Sequence, residues 1–185
     1  MLHTMKRTGF TIVELIITLS IMLILLSLAV VNLTSSQANG RDIERKTDID
    51  TIANHMETFY KSGTNASTTL GRYPSTAIFD TSSNSDKEKA VKSSIKKSFP
   101  YIDVDYDSVK TPGSTTVLSS FIPATNTIET IAGVSPQPTK DQYVYQPIQT
   151  NGSLCTTELQ ECRRYNLFYR TEVDNTIKKL SSKRQ

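Results

Sequence analysis

The sequence is poor in the residues that most chemistry requires. Its 185 residues include only two cysteines, Cys155 and Cys162, and two histidines, His3 and His55. That set cannot build a four-ligand zinc site of the usual kind. No nucleophile–base pair, phosphate loop or convergent spacing of His, Cys and carboxylates is present, so nothing points to an enzyme, a metal or a cofactor. Proline does not occur before Pro74. After the first long apolar run no second of comparable length follows, which limits the expected topology to a single membrane pass.

What the chain does have is concentrated near its N-terminus. Phe10 to Leu33 is a 24-residue apolar stretch, and from Leu15 to Val31 it carries no charge. As a helix rising about 1.5 Å per residue it spans roughly 36 Å, enough for a hydrocarbon core of about 30 Å. The hydroxyls between Leu15 and Val31, those of Thr18, Ser20 and Ser27, are tolerable because each can bond to a carbonyl one turn back. Lys6 and Arg7 precede the run, and the positive-inside bias therefore predicts a cytoplasmic N-terminus with everything after Leu33 outside. Two features do not fit a secretory signal: the run exceeds the usual 7–15 residues, and Glu14 lies in its first turns. Ser36-Gln37-Ala38 offers a small-residue cleavage site as the alternative. Glu14 itself needs an explanation, since a carboxylate at membrane depth is costly unless it is neutralised or reaches the interface.

Lys6-Arg7-Thr8-Gly9 followed by Phe10-Thr11-Ile12-Val13-Glu14-Leu15 resembles the processing site of type IV prepilins and pseudopilins. The resemblance implies cleavage by a prepilin peptidase between Gly9 and Phe10, methylation of the new N-terminal Phe10, and a mature chain of 176 residues. Glu14 becomes the fifth mature residue. The family implies that it pairs with the N-terminal amine of a neighbouring subunit. A buried charge pair adds little net stability, but a charge left without its partner is penalised, so the pair acts chiefly as a register device. The resemblance also implies a homo-oligomeric helical filament, an assembly platform protein, other minor pilins, and a subunit held in the membrane before it joins an extracellular pilus. Such filaments serve motility, adhesion, DNA uptake or secretion. A minor pilin or secretion-system pseudopilin is the alternative within the family.

Past Leu33 the sequence turns polar, yet Ile49, Ile52, Ala53, Met56, Phe59 and Tyr60 recur at helical spacing and form one apolar stripe. His55 falls off that stripe. Gly63 is a plausible helix stop. These segments predict one helix of about 50 residues, residues 10–33 in the membrane and 34–62 as an amphipathic continuation that packs on a sheet. Gly40 is its weak point, because glycine costs about 1 kcal/mol in a helix interior.

The head, residues 63–185, reads as α+β with a small antiparallel sheet. Gly71-Arg72-Tyr73-Pro74 resembles a turn that often follows the long helix in pseudopilins. Ser85-x-x-Glu88 is a capping box opening a helix with Val91, Ile95 and Phe99, closed by Pro100. Asp103, Asp105 and Asp107 suggest an acidic surface turn, with an irregular calcium site as the lesser alternative. Strands are expected over Thr116–Ile122, Gln142–Ile148 and Cys162–Val173, and Asn151-Gly152 is a turn signal before the last. In an exported domain, Cys155 and Cys162 read as one disulfide closing a short loop; two buried thiols are the alternative in the cytosol. The loop resembles the C-terminal disulfide loop of many pilins, though it is short and strand residues follow it.

Charge is uneven along the chain. Residues 34–162 hold 12 basic and 15 acidic side chains, and the last 23 residues hold seven basic and two acidic. Residues 171–185 read as a frayed tail. Lys178, Lys179, Lys183 and Arg184 within it form a candidate polyanion-binding set, with DNA as a possible partner and a solvated basic end as the plainer reading.

Overall fold

A computed structural model describes residues 9–63, 70–79, 109–114 and 120–184. The expected helix after Ser85, the Asp103–Asp107 turn and most of the expected first strand lie outside the described residues. The chain divides into two units, one ending at Asn39 and one beginning at Gly40.

Helix α1 covers Ile12–Ser62, 51 residues, and runs through Gly40 without a break. In the first unit its large apolar side chains face outward; Met22 and Leu23 are about two-thirds exposed. The hydroxyls within this segment bond backwards as expected: Thr18 to the Leu15 carbonyl at 2.9 Å, Ser20 to Ile16 at 2.8 Å and Ser27 to Ile24 at 2.7 Å. Among the described residues, α1 is the one helix long and apolar enough to cross a membrane. The helix stops at Gly63, whose φ of 64° suits glycine and whose N–H donates to the Phe59 carbonyl at 2.7 Å.

In the second unit α1 packs against a four-stranded sheet: β1 Phe121–Pro123, β2 Tyr143–Gln149, β3 Cys162–Arg170 and β4 Ile177–Ser181, in spatial order β1-β2-β3-β4. The fold class is the expected α+β arrangement, but the sheet is mixed. β2–β3 and β3–β4 are antiparallel, whereas β1 runs parallel to β2. A parallel neighbour requires a long crossover, and residues 124–142 supply it.

Alternate strand residues face opposite sides of the sheet, and the predicted helix stripe forms one core with one of those faces. Ile49, Ile52, Ala53, Met56 and Phe59 join Tyr143, Tyr145, Tyr165 and Leu167, with Tyr60 packed against them. The opposite sheet face is covered as well. Val144 and Phe168 are buried with Ala124 and Val134 of the crossover. Beside them Asn166 donates to Gln146 and Glu129, both at 3.0 Å, so the amides placed there are satisfied.

The expectation of a frayed tail over 171–185 is corrected. Residues 177–181 form β4, because the β3–β4 hairpin lets their backbone complete the ladder and lets Leu180 and Ile177 pack on opposite sheet faces. Ser182 then exchanges a bond with Tyr165, N–H to carbonyl at 2.9 Å.

Two buried carboxylates of the helix have partners distant in sequence. Glu57 accepts from the Tyr73 hydroxyl at 2.9 Å and from the Lys183 N–H at 3.1 Å. Asp48 accepts from the Tyr143 hydroxyl at 2.7 Å. Burial raises the Asp48 carboxyl to about 6 despite that bond and the nearby Arg45, with Glu44 adding to the rise. A folded pKa above the unfolded one gives a contribution complete below about pH 4 and lost as pH climbs through about 6. Glu172 and Asp174, both held at about 2, act in the opposite sense but only at lower pH. Asp48→Asn is therefore expected to raise stability at pH 7–8 by roughly 1–2 kcal/mol and to converge with the parent near pH 4–5. Urea unfolding of the full chain in detergent at both ends of that range checks it.

Candidate functional site

Glu14 lies on the first turn of α1, and the local sequence fixes its carboxylate. Thr11 is the N-cap. Its hydroxyl accepts from the Glu14 N–H at 3.3 Å, while Glu14 Oε2 accepts from the Thr11 N–H at 3.0 Å and from the Thr11 hydroxyl at 2.8 Å. This reciprocal T-x-x-E arrangement is a capping box, which satisfies donors that every helix start leaves over. The positive end of the helix favours the same carboxylate. Sequence reasoning found such a box at Ser85 and missed this one, although threonine three residues before a glutamate at the head of an apolar run is the signal. Both intrachain bonds use Oε2, and among the described residues Oε1 is left for a further partner.

Immediately upstream, Phe10 is about four-fifths exposed. A Cβ built on Gly9 would meet nothing within 4 Å. The glycine is thus not demanded by the chain's own packing. An accessible, non-helical Gly9-Phe10 bond ahead of a capped helix is a form that a cleaving partner can engage.

In the second unit Cys155 and Cys162 are joined, as expected, and both are buried. The Gly71–Pro74 turn locks this ring to the helix and sheet. Gly71 sits at φ 74°, donates to the Tyr60 carbonyl at 2.9 Å, and an added Cβ would come within 3.2 Å of the Arg163 guanidinium. Tyr73 N–H donates to the Cys162 carbonyl at 2.8 Å, Thr76 N–H to the Cys155 carbonyl at 2.9 Å, and the Tyr145 hydroxyl to the Pro74 carbonyl at 2.6 Å. Within the ring the Gln160 side-chain oxygen accepts from the N–H groups of Thr156 and Thr157. Replacing both cysteines by serine is expected to cost about 2–3 kcal/mol, the chain-entropy value for so small a loop. Unfolding midpoints of the two proteins without reductant check it.

The structure does not gather the four basic tail residues into one patch. Lys178 and Lys179 are adjacent on β4 and so point to opposite faces. Lys178 lies 3.6 Å from Asp174, and Lys179 donates to the Glu129 carbonyl at 3.1 Å. Lys183 contributes its backbone to Glu57, and the Arg184 guanidinium stacks 4.8 Å above the Tyr60 ring. Among the described residues no group of three His, Cys, Asp or Glu side chains could hold a metal ion.

Comparison with known proteins bears on the N-terminus. Residues 4–30 match the family model of the prokaryotic N-terminal methylation motif. No curated protein matches the chain, and no solved structure does. The match covers Gly9, Phe10, the capping box and most of the apolar stretch. Residues 4–30 of this chain therefore carry the class III N-terminal signal of type IV pilins and pseudopilins.

Proposed function

We propose that the chain is the precursor of a structural subunit of a type IV pilus-like filament. A prepilin peptidase cuts it between Gly9 and Phe10 and methylates Phe10, and the subunit waits in the membrane with its N-terminus in the cytoplasm and its head outside. Assembly then moves α1 from lipid into a bundle of identical helices. The observation that carries this reading is the single register in which basic leader, Gly9, Phe10, capped Glu14 and apolar helix occur together. The exposed apolar side chains from Ile12 to Val30, with Leu33, supply the driving force, because surface that leaves lipid must be buried against other such helices and not in water. Assembly with a platform protein and other pilins follows from the same reading.

The experiment is fractionation of cells with and without the peptidase. The proposal expects the chain in sheared surface filaments only when the peptidase is present, and as a longer membrane-bound precursor when it is absent. Identical size and location in both strains contradict it. Abundance in the sheared fraction separates a major pilin from a minor pilin or pseudopilin, since a major subunit dominates that fraction.

A further inference from the structure

We propose that Asn151 is a site of spontaneous backbone modification, at which the side-chain amide closes on the Gly152 nitrogen and then opens to aspartate or isoaspartate. Asparagine followed by glycine occurs twice in the chain, at Asn39-Gly40 and Asn151-Gly152. Glycine leaves the following nitrogen unhindered by a side chain. Hydroxide removes the Gly152 amide proton, the nitrogen bonds to Asn151 Cγ, the Cγ–Nδ2 bond breaks, and Nδ2 leaves as ammonia after taking a proton from water. Water then adds to either carbonyl of the resulting succinimide. Opening at the former side-chain carbonyl gives aspartate; opening at the main-chain carbonyl gives isoaspartate. No redox step is involved, and water and hydroxide are the only co-reactants.

The structure distinguishes the two pairs. Asn151 and Gly152 are both exposed in the turn that follows β2. Ser153 N–H donates to Asn151 Oδ1 at 2.9 Å, drawing electron density from the carbon under attack and stabilising charge that develops on Oδ1, as an oxyanion donor does. The Gly152 N–H is held by one bond, to the Gln149 carbonyl at 3.0 Å. Freeing it requires only local opening of a surface turn. Gly40, by contrast, lies inside α1, where the attacking nitrogen is released only by unwinding the helix.

The modification has a structural consequence. Gln149 N–H donates to the Ser153 carbonyl at 2.8 Å, and Ile148 bridges Leu154, both across this turn. Isoaspartate inserts an extra main-chain carbon between those paired strands, and either product adds a negative charge just before Cys155. The segment entering the disulfide ring loosens as the protein ages.

The test is incubation of the full chain in detergent in mildly alkaline buffer, followed by peptide mapping that separates amide, aspartate and isoaspartate forms. Asn151 is expected to convert at least about tenfold faster than Asn39, a ratio that requires only about 1.4 kcal/mol of difference in local opening. Asn151→Gln, which keeps the amide but lengthens the side chain, is expected to abolish conversion at that turn. Conversion of Asn39 at an equal or greater rate, or an unchanged Asn151 amide, overturns the proposal.

Discussion

Glu14→Gln and Glu14→Ala are both expected to leave cleavage after Gly9 intact and to abolish surface filaments. The pair of variants separates the capping role seen in the structure from the proposed pairing role of the same side chain. Glutamine retains the acceptor oxygen that receives the Thr11 N–H and hydroxyl, and it is itself a capping-box residue. Alanine removes both the cap and the charge. If capping were the whole function, glutamine would restore assembly. Under the pairing role glutamine fails as alanine does, with filament yield reduced by well over about tenfold, because an amine buried without its counter-charge is penalised at every subunit. Electron microscopy of sheared fractions, with immunoblots for cleaved chain, reads both steps.

The second large effect concerns the head. Arg45→Ala is expected to destabilise it by about 3–5 kcal/mol, the cost of breaking a buried ion pair by removing one partner. Arg45 is essentially fully buried. Its guanidinium donates to the Lys140 carbonyl at 2.9 Å, to Asp42 at 2.8 Å and to Glu172 at 3.2 Å. Asp42 in turn accepts from the Glu172 and Val173 N–H groups at 2.7 and 3.0 Å, which fastens α1 to the β3–β4 turn. Arg41 also grips Glu172, through bonds of 2.6 and 2.9 Å, but its side chain is 38% exposed. Arg41→Ala is therefore expected to cost no more than about 1 kcal/mol. Because a small domain is stable by only about 5–15 kcal/mol, the Arg45 variant should lose much of its margin in chemical unfolding while the Arg41 variant retains it. Equal effects of the two substitutions would contradict the clamp.

The features legible in the sequence are those encoded locally. A 3.6-residue period placed Ile49 through Tyr60 in the core, the alternation of Tyr165, Leu167 and Tyr169 with Arg164, Asn166, Phe168 and Arg170 marked β3 as a strand, and Gly63 marked the helix end. The N-terminal methylation motif, which spans Gly9, Phe10 and Glu14, was legible because the whole signal occupies consecutive residues. What was hidden depends on partners far along the chain. Asp48 finds Tyr143, Glu57 finds Lys183 and Arg45 finds Lys140, at separations of 95, 126 and 95 residues. No local pattern marks a carboxylate or guanidinium as buried when its partner lies so far away. The sequence of β4 looks like a tail because Lys178 and Lys179 dominate its five residues, whereas backbone pairing with β3 decides their state. The parallel direction of β1 is likewise set by a 19-residue crossover packed on the outer sheet face, not by three strand residues.

The measurement that bears most directly on the account is the intact mass of the native protein with sequencing of its first residues. A methylated Phe10 at the N-terminus, in a chain lacking two hydrogens at Cys155 and Cys162, is the predicted result. A native polypeptide that keeps its first nine residues, or one that starts near Asn39, contradicts it.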